Sequence, residues 1–227
     1  MRIIKLAVFA ISAIALTSCS NKSDDELVVT DPIVEAKFNL NPGSFWVYKN
    51  YERFDYTSDF KYTNNIDTIK VESLVEAGGY KYAKVKQTSW NLKQNSHRTS
   101  FSYQRINDKG YLVSLNSYYF DNGKYGEAFE SVKHPNTDAN FQVELPFPPN
   151  SKMVYKLAPK ENVVVDGKSY EVNPYNGRYY KDGSTTADPD KIVKNNYAFG
   201  IGLVNTYCHS ESGTYNFEDR LVSYSLK

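Results

Sequence analysis

Beyond residue 41 the chain alternates apolar and polar side chains in short runs. Ile69, Val71 and Val75 occupy odd positions against Lys70, Glu72 and Glu76, and Val113 and Leu115 alternate with Ser114 and Asn116. Met153, Tyr155 and Leu157 repeat the pattern with Val154 and Lys156 between them. A period of two sends successive side chains to opposite faces of a strand, one packed and one wet. Between the runs, Asn122-Gly123, Asp166-Gly167, Asn176-Gly177 and Asp182-Gly183 are dipeptides of tight turns with positive φ. Ala77-Gly78-Gly79, Asn107-Asp108-Lys109-Gly110 and Ser210-Glu211-Ser212-Gly213 read as longer loops. Helical periodicity is confined to one weak stretch over residues 125–132. The pattern predicts an all-β domain of antiparallel hairpins, with a β-sandwich or a closed barrel as alternatives to a single sheet.

One motif occurs twice. Pro42-Gly43-Ser44-Phe45-Trp46-Val47-Tyr48-Lys49 and Pro149-Asn150-Ser151-Lys152-Met153-Val154-Tyr155-Lys156 share P-x-S-x-x-V-Y-K at a spacing of 107 residues. A glycine-led strand follows in each half, at Gly110-Tyr111-Leu112-Val113 and at Gly202-Leu203-Val204-Asn205. Two similar halves meeting near residues 146–149 would explain both, and reuse of residues in a β-rich chain is the plain alternative.

The first residues have a different texture. Arg2 and Lys5 precede an uncharged apolar run over residues 6–16, and Leu16-Thr17-Ser18-Cys19 closes it. A basic start, a short apolar core and small residues before a cut form a secretory signal, here over residues 1–18. The run falls short of the ~20 residues that a membrane-spanning helix needs. Cysteine at the cut makes this a lipobox, with Cys19 the expected site of diacylglyceryl attachment and later acylation. Two acyl chains anchor stably, so the membrane is the expected partner through Cys19, and Ser20 in the next position favours the outer membrane. Asn21-Lys22-Ser23-Asp24-Asp25-Glu26 continues as an acidic tether to residue 35, either a solvated spacer or a signal for display on the cell surface. Residues 36–227 form the single expected domain.

Charge narrows the partners. Loss of Arg2 and Lys5 with the signal lowers the formal charge of +1 by two, to −1, and leaves no basic stripe for nucleic acid. With Cys19 acylated, Cys208 is the remaining cysteine, expected as a buried apolar side chain rather than a reactive thiol.

Two segments carry a resemblance. Gly43-Ser44-Phe45-Trp46-Val47-Tyr48 resembles the G-x-x-W-x-Y opening strand of uncharacterised lipid-anchored proteins of Bacteroidota, and Tyr197-Ala198-Phe199-Gly200-Ile201-Gly202-Leu203-Val204 resembles their late Y-A-x-G-I-G-L-V strand. The resemblance implies an envelope location and a strongly curved antiparallel sheet, a half-barrel similar to the periplasmic lipoprotein carriers. It implies no activity. Gly200 and Gly202, read as strand residues, would permit a bulge or bend in such a sheet.

Chemical motifs are sparse. His97, His134 and His209 stand at no metal-ligand spacing, and the chain has no H-E-x-x-H, C-x-x-C, G-x-S-x-G or phosphate loop. No cofactor is expected. The 20 tyrosines, 12 phenylalanines and two tryptophans suit a pleated, half-buried surface. Some would line a groove or a sugar platform instead; Trp46, Tyr48, Trp90, Tyr118 and Tyr119 are the candidates. Asp67-Thr68-Ile69 also resembles the short O-glycosylation pattern of exported Bacteroidota proteins, which makes Thr68 a candidate site. The reading favoured by these observations is a non-catalytic, lipid-anchored binding or structural protein with a glycan or lipid ligand. A half-barrel carrier of a hydrophobic molecule and an extracytoplasmic hydrolase are the alternatives.

Overall fold

In a computed structural model the first and last strands of the domain lie side by side at the middle of one antiparallel sheet. The structure describes residues 38–54, 59–108, 111–127, 129–132, 140–144, 151–189, 191–209 and 216–227. Cys19 and the tether, the junction at residues 146–149 and the loop at residues 210–213 lie outside the described residues. The strands are β1 (Phe45–Arg53), β2 (Lys61–Ala77), β3 (Tyr80–Asn91), β4 (Ser96–Ile106), β5 (Leu112–Asn116), β6 (Phe129–Val132), β7 (Asn140–Glu144), β8 (Lys152–Leu157), β9 (Glu161–Val165), β10 (Lys168–Tyr180), β11 (Ile192–Ala198), β12 (Gly202–His209) and β13 (Asn216–Ser225). Their order is β6-β5-β4-β3-β2-β1-β13-β12-β11-β10-β8-β7, and β9 pairs with the first part of β10. Apart from β7, at the opposite edge from β6, and β9, which pairs with β10 and not with β8, each strand neighbours its predecessor in the chain, and the sheet curves until its two edges, β6 and β7, approach each other. The expected all-β, single antiparallel sheet is the fold.

Local expectations fare unevenly. Asp166-Gly167 forms the β9–β10 turn with both residues at positive φ. Asn176-Gly177, read as a turn, lies instead within β10, where a Cβ on Gly177 would sit 2.8 Å from the Tyr155 ring. The glycine there answers a close approach, not a turn. Gly200 and Gly202, expected inside a strand, have φ of 73° and 104° at the β11–β12 turn, so the Y-A-x-G-I-G-L-V segment is a hairpin rather than one strand. A bulge between Val71 and Ser73 moves Val75 to a cluster other than that of Val71, which the plain alternation placed on one face. The weak helix over residues 125–132 is a 3₁₀ turn, Tyr125–Glu127, followed by β6; the α-helical turn α1, Ser117–Asp121, precedes it, capped by the Asn116 side chain.

The halves correspond in register. Shifting by 107 residues carries the seven β2–β3 pairs from Asn65 opposite Asn91 to Val71 opposite Val85 onto the β10–β11 pairs from Val172 opposite Ala198 to Arg178 opposite Ile192. The same shift carries the β3–β4 pairs from Lys86 opposite Phe101 to Ser89 opposite Arg98 onto the β11–β12 pairs from Val193 opposite Cys208 to Asn196 opposite Asn205. Both motif serines, Ser44 and Ser151, are buried at the mouths of β1 and β8. The correspondence drawn from glycine-led strands does not hold, because Gly202 opens β12, which answers to β4, whereas Leu112 opens β5.

Apolar side chains fill the space that the sheet encloses. Trp46, Tyr48, Val71, Val85, Val204 and Leu221 pack with Val165, Tyr170 and Val172 of the β9–β10 hairpin. Tyr175 packs with Phe38, Tyr155, Tyr197, Ile106 and Leu112, bringing the two halves together. Under α1, Tyr82, Tyr103 and Leu115 meet Phe120, whose ring stacks on Tyr103. At the end where β1 begins, Asn39 and Asn41 donate to the Lys227 carbonyl and the Lys227 amide donates to Ser44 Oγ.

Candidate functional site

The packed face turns polar toward the far end of the same strands. On β1, Trp46 and Tyr48 are core and Asn50 follows; on β13, Leu221 is core and Asp219 follows. On β2, Val71 gives way to Asp67 and Asn65, and on β3, Val85 gives way to Ser89 and Asn91. These polar residues line a cleft of about 510 Å³ with Tyr51, Thr63, Ser96, Arg98 and Phe217, and with Trp90 and His97 at its rim, where the ladder turns their side chains to the opposite face from Ser89 and Asn91. Asn50 Nδ2 donates to Asp219 at 2.6 Å and to Asp67 at 3.1 Å, so one amide holds two carboxylates. Burial raises the Asp219 carboxyl above the usual range; the Asn50 hydrogen bond opposes this, and the charges of Asp67 and Glu218 add to it. Trp90 lies 4.5 Å from the His97 ring and is 39% exposed.

A shallower groove of about 370 Å³ adjoins the cleft and shares Trp90 and His97 with it. Thr68 lines this groove with Lys70, Lys86, Thr88 and Thr99, and is paired between Val47 and Thr88 in the ladders.

Of the five candidate aromatics, Trp90 alone lines the cleft. Trp46 and Tyr48 are buried, and their polar atoms are spent inside the protein: Trp46 Nε1 donates to the Ile201 carbonyl at 2.7 Å and Tyr48 OH to the Leu203 carbonyl at 2.9 Å. They face the core instead of a ligand, because a strand that opens the domain between two neighbours has its apolar face covered. Tyr118 and Tyr119 stand on α1, Tyr118 exposed and Tyr119 packed against the third cluster. Cys208 is half-buried, with its thiol pushed up to about 11 by burial and by the Asp219 charge, so it stays protonated and unreactive at neutral pH. His97 stacks on Trp90; His134 and the His209 side chain lie outside the described residues. Among the described residues no group of three or more His, Cys, Asp or Glu side chains is placed to hold a metal.

Asn50 and Asp219 carried no sequence motif, and Asp67 stood out only as the first residue of the pattern around Thr68. They are far apart in the chain and meet because β1 lies between β2 and β13. The signal that could have found them is positional: each is two residues beyond a core residue on the same face of its strand, or four in the case of Asp67 and Val71.

No protein-family model and no curated protein matches the chain. Among solved structures, a candidate exported protein with a YmcC-like fold from Bacteroides fragilis is 13% identical, with a TM-score of 0.48 over 83% of this chain and 98% of its own. A candidate lipoprotein from Parabacteroides distasonis is 11% identical, with a TM-score of 0.43 over 83% of this chain and 97% of its own. A β-barrel-like domain of unknown function from Brucella abortus is 10% identical, with a TM-score of 0.37 over 82% and 99%. The likeness to all three is one of outline.

Proposed function

We propose that this chain is a lipid-anchored envelope protein that binds a polar ligand, without transforming it, in the cleft around Asn50, Asp67 and Asp219. The observation that carries the reading is the change of character along one face: apolar and filled near Trp46, polar and open near Asn50. The described chain enters at Phe38, beside the start of β1, whereas the cleft begins about five residues further along that strand, or roughly 16 Å. A lipid on Cys19 anchors the domain at the outer membrane, there or displayed on the cell surface. A carrier of hydrophobic molecules needs an apolar hollow; here Tyr155, Tyr175 and Tyr197 occupy the middle of the described interior.

Labelling with palmitate tests the anchor: the wild type takes up label and Cys19→Ser does not. An unlabelled wild type removes the location. Intact mass of the same material reports any glycan on Thr68. A second reading, hydrolysis, is favoured by the raised carboxyl of Asp219 held within reach of Asp67. Turnover of a glycoside or ester by the wild type, lost in Asp219→Asn, would replace binding with catalysis.

A further inference from the structure

We propose that the two halves are copies of one unit and that the cleft is the core of that unit emptied in the first copy, to receive a neutral saccharide. The proposal rests on the binding reading above and names its ligand class. The shared register makes positions 107 residues apart equivalent in the backbone. In the second half, the equivalents of Asn65, Asp67, Ser89 and Asn91 are Val172, Pro174, Asn196 and Ala198, and all four are buried. Val172 and Ala198 belong to the main core cluster. The same paired stretches are thus filled in one half and hollow in the other; the flanking strands also differ, since Tyr48 pairs with Asp67 whereas Tyr155 pairs with Gly177 and not Pro174. A hollow forgoes the packing that large apolar side chains supply there. Polar residues along all four strands keep it open to water.

The walls select the ligand class. An extended peptide recognises a sheet by adding a strand to a free edge. Here β1, β2 and β3 each have neighbours on both sides, so recognition falls to side chains. The carboxylates of Asp67 and Asp219 accept hydrogen bonds and repel anions, which disfavours phosphates and acidic peptides. A lipid chain finds no apolar floor. A sugar offers hydroxyl donors to Asp67, Asp219 and Ser89 and an apolar ring face to Phe217, with Trp90 and His97 at the rim that the cleft shares with the adjoining groove. A volume of about 510 Å³ lies within the range of small-ligand sites, ~300–1,000 Å³.

The test uses the mature lipidated protein in detergent micelles on a glycan array of neutral, amino and acidic oligosaccharides, with native mass spectrometry of the purified protein beside it. The wild type should bind neutral glycans. Trp90→Ala should lose at least tenfold in affinity, and so should the refilled variant Asn65→Val/Asn91→Ala, while both keep the wild-type circular dichroism spectrum. The tryptophan signal is informative because Trp46 is buried, so a shift on sugar addition that Trp90→Ala abolishes reports the cleft. Glycan binding that both variants retain overturns the site. An array silent for neutral sugars, with a different polar ligand co-purifying and lost in Trp90→Ala, overturns the saccharide but leaves the binding reading standing. Silence in both assays overturns both. If Trp90→Ala misfolds, Asp67→Asn replaces it with the same expected loss.

Discussion

Tyr48→Phe removes one oxygen atom from the core and tests how β1 is fastened to β12 across the intervening β13. The hydroxyl donates to the Leu203 carbonyl at 2.9 Å, and the side chain is 5% exposed. Burial, with the neighbouring Tyr197 and Asp219 charges, raises the phenol well above its ordinary value, so it keeps its proton and donates at any working pH. Phe conserves the ring packing, and the loss is the hydrogen bond plus an acceptor left dry. Such a change costs about 1–3 kcal/mol. With a urea m-value of about 2 kcal/mol/M, the unfolding midpoint should fall by about 0.5–1.5 M at unchanged m. Tyr118→Phe is the control, since Tyr118 is 64% exposed and its loss should stay within about 0.5 kcal/mol. Equal midpoints for Tyr48→Phe and the control would refute the argument that this hydroxyl is a desolvated cross-strand tie.

Three further outcomes follow from the same interior. Tyr155, pushed up to about 12 by burial first and the Cys208 charge second, and Tyr48, Tyr175 and Tyr197, raised mainly by burial, hold their protons more tightly folded than unfolded. Stability is therefore full below the ordinary phenol value of about 10 and falls as pH climbs through it toward 12; absorbance at 295 nm should show these phenols ionising only with unfolding. Asp219→Asn removes a carboxyl whose folded value is raised, so the wild type loses stability as pH rises above about 4 and the variant does not; urea melts at pH 4 and pH 7 should show the variant gaining at pH 7 alone. Gly177→Ala drives a methyl to within 2.8 Å of the Tyr155 ring and should destabilise by about 1–3 kcal/mol in the same melts, with Tyr155→Leu partly relieving it.

Strand alternation and turn dipeptides carried the fold class because both are local: Val113 and Leu115 are buried as their spacing implies, and Asp166-Gly167 turns. What escaped the sequence is what depends on partners. Val75 left the face of Val71 through a bulge that β3 imposes, and Gly177 is set by a ring from β8. The site was hidden for the same reason. Asp67 and Asp219 are ordinary strand residues until β1 brings Asn50 between them. Trp90 was legible as an aromatic at a strand end, whereas Trp46 and Tyr48 share its chemistry and differ only in how many neighbours cover them. The 107-residue motif was faint as letters, five matches in eight; the same spacing shows in the β2–β3 and β10–β11 ladders but not in the motif strands, where Tyr48 pairs with Asp67 and Tyr155 with Gly177.

Because β13 is the strand that joins the two halves, synthesis order constrains maturation. A nascent chain that has emerged up to β12 holds two separate meanders, each with an uncovered margin at β1 or β12. Residues 216–227, with the Lys227 clasp on Asn39, Asn41 and Ser44, seal them into one body.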